Sequence, residues 1–190
     1  MNSSVTANQL SGRAIGSIFF SGFGAIWLTL ALYAHEMLNS ATVSAVALGL
    51  ALLLLAAFGL LRRARRWPRV PDDPALSRSF NRVNAVQWIA GAIAAFTLHR
   101  LHLDAYTVSV IAMIVGLHLF PLARLFRYPL HYATGGLLTA WAVASVLLVP
   151  TEHLQSITAM GTGIILWASA TVTLVLAARI ARQTASPQTC

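Results

Sequence analysis

Residues 41–61 read ATVSAVALGLALLLLAAFGLL, twenty-one consecutive positions without a formal charge. Thr42 and Ser44 carry the only hydroxyls in the stretch. An α-helix rises 1.5 Å per residue, so about 20 such residues cover a hydrocarbon core of roughly 30 Å. A soluble helix this long and uniform would have no face to offer water. The stretch reads as a transmembrane helix.

Outward from it, the same kind of segment recurs at 14–34, 83–98, 106–123, 132–149 and 157–178. The shortest and most polar is 83–98, which contains Asn84 and Gln87. Only 9% of the 190 residues are charged and 57% are hydrophobic, whereas a soluble domain carries roughly 25% charge. Period-two alternation is missing throughout, which excludes a membrane β-barrel. Residues 14–34 follow Arg13 as a signal peptide would, but they exceed the usual h-region of about 7–15 residues. No small-x-small cleavage pattern precedes His35, so a retained first span is expected. The expected fold is all-α: a single transmembrane domain of six helices in three antiparallel hairpins.

The net charge of +8 rests on 13 basic residues, every one an arginine. In a soluble protein a pI near 11.3 would point to nucleic acid. Here the arginines cluster where apolar runs end, and nucleic acid is not expected as a partner. With the N-terminus inside, 12 of the 13 fall on the inner side and only Arg100 falls outside. The positive-inside rule reads that asymmetry as N-in and C-in, with both termini cytoplasmic. Arg62, Arg63, Arg65, Arg66, Arg69, Arg124 and Arg127 are the expected contacts for anionic lipid headgroups, each worth about 1 kcal/mol near the surface. Topology signalling alone would also account for them. Pro68, Pro71 and Pro74 favour an extended path through the longest connection. The one cysteine, Cys190, cannot form an internal disulfide.

The hairpins resemble one another. Trp27, Trp88 and Trp141 lie in the outgoing helices, a His-and-acid turn follows each, and Arg62/Arg65, Arg124/Arg127 and Arg179/Arg182 close them. Internal repeats are a device of transporters, although any hairpins with interfacial aromatics and inner arginines share these traits. The outer turns hold His35, His99, His102 and His153 with Glu36, Asp104 and Glu152. Imidazole and carboxylate suit zinc or another divalent metal, the one cofactor these residues suggest. Solvated turns are the plainer account.

Inside the spans, His118 and Pro121 stand out. An ionisable group at membrane depth usually faces the bundle interior. Pro121 lacks the backbone donor for the carbonyl of Leu117, and a broken helix beside a titratable group is how many transport sites are built. Asn81, Asn84, Gln87 or Trp88, and Gly91 share one face of the third span, and lipid cannot satisfy the amides. Asn84, Gln87, His118 and Pro121 are therefore the candidate substrate-binding residues. A kinked helix with a backbone-bonded His, and amides that bond between helices, is the structural alternative. Gly12-x-x-x-Gly16 and the pairs Gly22/Gly24 and Gly161/Gly163 read as close-packing signals. No Walker loop, H-E-x-x-H, G-x-S-x-G or dinucleotide fingerprint is present, and no span has Asp, Glu or Lys near its middle.

The run from Val115 to Tyr132, with Gly-Leu-His-Leu-Phe-Pro-Leu at 116–122, resembles a segment of uncharacterised small bacterial multi-span membrane proteins. The resemblance covers about a tenth of the chain, implies a bacterial cytoplasmic membrane and carries no activity. The leading functional expectation is a transporter or channel-like protein for a small solute, with its site between spans three and four. The alternatives are a non-catalytic protein that binds lipid or assembles with partners, homo-oligomers included, and a metal-dependent intramembrane enzyme.

Overall fold

The structure, a computed structural model, describes residues 7–66 and 73–183. Among these residues the chain forms six α-helices: α1 (Ala7–Ala34), α2 (Ser40–Ala64), α3 (Pro74–Arg100), α4 (Thr107–Phe126), α5 (Leu130–Leu148) and α6 (Thr151–Gln183). A 3-10 turn, Asp104–Tyr106, leads into α4. Arg69, the prolines at 68 and 71, and Cys190 lie outside the described residues.

Five of the helices are long and apolar enough to cross a membrane. They present bare hydrocarbon outward: Ile26, Leu48, Leu55 and Leu147 are each more than 60% exposed. Only a lipid solvent makes such a surface favourable, because water would charge about 25 cal/mol for each exposed apolar Å². The exception is α3. At 27 residues it has the length to cross, but its amides and arginines keep it below the apolarity of the others.

Several helices outrun the apolar segments that announce them, because a helix need not stop where its hydrophobic run stops. The largest correction is at α3, which begins at Pro74 and not near residue 83. Pro74 does not extend the connection. It occupies the first helical turn, where its missing N–H would be unpaired anyway, and the Asp73 carboxylate accepts from the Ala75 N–H at 2.8 Å. At α2, Asn39 accepts from the N–H groups of Ala41 and Thr42, both at 3.0 Å, while Thr42 Oγ1 accepts from the Asn39 N–H. This reciprocal capping box fixes the start of α2.

Successive helices run back and forth, and contacts pin both ends of the bundle. At one end Phe80 meets Phe126, and Tyr128 donates to Thr173 Oγ1 at 3.3 Å. At the other, His35 faces His153, and Gln155 Nε2 donates to the Asp104 carbonyl at 3.0 Å. The described arginines other than Arg100 gather at the first end, and Glu36, Asp104, Glu152 and four histidines at the second. They are called the arginine end and the histidine end below.

The core is four helices, α1, α4, α5 and α6, with α2 against α1 and α3 against α4. α2 buries only Ala57, Leu60 and Ala64, and α3 buries nothing fully. The three hairpins are thus not equivalent in packing. Trp27 is buried, Trp88 is 65% exposed, and the Trp141 indole N–H donates to the Thr158 carbonyl at 3.1 Å.

Two glycine crossings hold the core. A Cβ on Gly135 would sit 2.7 Å from the Gly116 carbonyl oxygen, and one on Gly163 would sit 3.0 Å from the Gly24 carbonyl oxygen. The α4/α5 and α1/α6 backbones therefore touch. Hydroxyl pairs add to the joints, Ser109 with Thr158 at 3.0 Å and Thr134 with Ser169 at 2.9 Å. Each is worth about 0.6 kcal/mol, the average for interhelical polar contacts in a membrane. The expected Gly12-x-x-x-Gly16 contact is not made, since a Cβ on either glycine, or on Gly22, meets nothing within 4 Å.

Candidate functional site

Two helices of different character meet at α3 and α4, one marginally packed and amide-bearing, the other apolar and built into the core. Between them runs an open groove of about 430 Å³. Val83, Val86 and Ala90 form its α3 wall, and Ile114, Leu117 and Pro121 its α4 wall. The polar groups in it are Arg82 and Gln87 from α3 and His118 from α4. On α3 the groove residues recur at the three-to-four spacing of one helical face, and Arg82 stands at the arginine end of that face.

Of the four candidate residues read from the sequence, Gln87, His118 and Pro121 share this groove. Asn84 is half-buried but does not line it. One further residue was missed: Arg82, five positions before Gln87, counted in the sequence only as a topology charge. Pro121 does not break α4, which continues as an α-helix from Thr107 to Phe126. The His118 Nδ1 lies 2.7 Å from the Val115 carbonyl oxygen. A carbonyl can only accept, so Nδ1 carries the proton and Nε2 is left for another partner.

A second open groove of about 580 Å³ lies nearer the histidine end, between α4 and α5, with Leu98, Leu103, Val110 and Leu147 among its walls. Tyr106 and Ser109 are its polar members, and no charged residue lines it. The α3/α4 groove is the one that joins apolar walls to a cation.

Two contacts organise the rings at the histidine end. His35 and His153 face each other with ring centroids 6.4 Å apart, and His99 Nδ1 lies 2.9 Å from the Asp104 carboxylate. His102 occupies a left-handed turn position with φ 57°. Among the described residues no three His, Cys, Asp or Glu side chains are grouped to hold a metal ion. The rings of His35, His99, His102 and His153, expected to hold a divalent ion, are thus not brought into one group among the described residues.

At the arginine end, Arg62, Arg63, Arg65, Arg66, Arg124 and Arg127 are all exposed. Both ion pairs among the described residues use histidine, so none of these arginines is matched to a carboxylate of a described residue. Arg62 and Arg63 end α2 and Arg124 ends α4, where a cation also complements the helix dipole. Arg13 instead turns inward and lies over the Tyr128 ring at 5.1 Å. The His131 ring meets Tyr128 and Phe20 edge-on, at 5.1 and 5.5 Å. This aromatic joint between α1 and the α4–α5 turn escaped the sequence reading, although Tyr128 and His131 stand one turn apart at the start of α5.

The chain matches no known family model, and neither a curated protein nor a solved structure is significantly similar to it.

Proposed function

We propose that this chain is a polytopic protein of the bacterial cytoplasmic membrane, with both termini cytoplasmic, that binds a lipid of the inner leaflet in the α3/α4 groove. One observation carries the reading: the groove is open, its walls are apolar, and its polar groups are Arg82, Gln87 and His118. An acyl chain fits the walls, and an anionic headgroup fits the guanidinium. The exposed arginines at the same end favour anionic lipids there.

A photoactivatable phospholipid with a diazirine in its acyl chain, reconstituted with the purified protein, tests this directly. Adducts should concentrate in residues 83–90 and 114–121. Adducts spread evenly over the exposed faces, Leu48 and Leu55 of α2 included, would mark ordinary surrounding lipid and remove the proposal.

A solute-transport reading draws on the meeting of Gln87, His118 and Pro121 in one groove. It requires flux through proteoliposomes that is lost in His118→Ala while the protein still folds. Lipid adducts in the groove without any flux would leave lipid binding as the function.

A further inference from the structure

The polar atoms of the groove specify more than a negative charge, and this inference rests on the lipid-binding reading above. Arg82 supplies only donors and has no carboxylate partner among the described residues. Gln87 supplies both a donor and an acceptor. His118 is the informative member. Its Nδ1 proton is committed to the Val115 carbonyl at 2.7 Å, so the neutral ring offers Nε2 as an acceptor and nothing else. A ligand that engages both walls would bring an acceptor for Arg82 on α3 and a donor for His118 Nε2 on α4.

A phosphodiester alone satisfies Arg82 and sets its oxygens against the lone pair of Nε2. A choline headgroup has no N–H or O–H to donate. A primary ammonium can donate, but it places a second positive charge in a site that already holds Arg82. A neutral hydroxyl attached close to the phosphate meets both demands.

We propose that the α3/α4 groove selects a lipid whose headgroup joins an anionic phosphodiester to a neutral hydroxyl, as in a glycerol phosphodiester. The phosphate pairs with Arg82, the hydroxyl donates to His118 Nε2, and Gln87 can serve either group. The selectivity lies in α4, whereas α3 supplies the attraction common to all anionic lipids.

The test compares phosphatidylglycerol with phosphatidylmethanol of the same acyl chains, two lipids of equal charge that differ in the hydroxyls. Binding is measured by titration calorimetry on the full chain in a neutral detergent. A net hydrogen bond of ordinary strength makes the glycerol lipid about two- to tenfold tighter. His118→Phe keeps a ring and removes the acceptor, so the two affinities should become equal. His118→Gln restores an acceptor oxygen and should recover the preference, which separates lost chemistry from lost folding. Arg82→Gln should weaken both lipids alike.

Equal affinities in the unaltered protein, with both lipids still crosslinking in the groove, would overturn the headgroup assignment and leave the groove reading standing. If neither lipid crosslinks there, the groove reading itself fails. Glycerol 1-phosphate in water binding as tightly as the lipid would overturn the choice of a bilayer ligand.

Discussion

Gly135 and Gly136 are neighbours on α5 whose replacement by alanine should have different consequences. A Cβ at Gly135 would lie 2.7 Å from the Gly116 carbonyl oxygen and 3.2 Å from Leu119 Cβ, while one at Gly136 meets nothing within 4 Å. The obstacle at Gly135 is backbone, so no rotamer change relieves it. Ordinary contact begins near 3.4 Å, and α4 and α5 must part by about 0.7 Å locally. A gap of that size forfeits a quarter to a half of each affected dispersion contact, and overpacking a fitted interface costs about 1–3 kcal/mol. Gly136→Ala faces no such obstacle and should gain some helix propensity. The assay is thermal or denaturant unfolding in one detergent, followed by circular dichroism and by tryptophan fluorescence. Gly135→Ala should unfold earlier by that margin, with Gly136→Ala at or slightly above the unaltered protein. Equal destabilisation by the two would refute the α4/α5 crossing, because only a crossing at Gly116 makes the neighbours inequivalent.

Two further outcomes are expected. Thr134→Val and Ser169→Ala break the hydroxyl pair at 2.9 Å, and a double-mutant cycle should return a coupling of about 0.6 kcal/mol; zero coupling would mean the hydroxyls do not bond. Cysteines placed singly at Arg66 and at His102, in a Cys190→Ser background, should label from opposite sides of the membrane, with the first protected from an impermeant maleimide in intact cells. Labelling of both from outside would overturn the proposed orientation.

The fold was largely legible because its solvent dictates it. A run such as residues 41–61 has one stable form in hydrocarbon, a helix with all its backbone bonds internal. Helix ends were less legible where polar residues continue a helix past the apolar stretch, and Pro74 shows why: a proline reads as a breaker until its capping partner Asp73 places it in the first turn. Close packing was legible at Gly24, Gly161 and Gly163, which do meet a neighbouring helix, and misread at Gly12, Gly16 and Gly22. The Gly12/Gly16 spacing is visible on one helix, but contact is a property of two, and the glycines that touch, such as Gly116 and Gly135, have no mutual spacing to find. Gln87 and His118 were identifiable because an amide and an imidazole stand out in apolar surroundings. Arg82 was not, since its charge had a sufficient explanation in topology. Asn84 lies one turn from Gln87, and the stripe was too broad to show which amide faces the groove.

The attachment of α3 gives the groove one firm side and one yielding side. α4 is fixed by its glycine crossing with α5 and by the Ser109–Thr158 pair on α6, while α3 leans on α4 with no fully buried residue of its own. Displacing α3 by an ångström uncovers no fully buried side chain of its own, so the gap can widen or narrow at less cost than a joint between α4 and α5. Such a clip would grip thin and thick acyl chains almost equally and leave discrimination to the headgroup. Sequence drift should follow the same division: the exposed side of α3 can change freely, and the α4 face proposed to receive the lipid cannot.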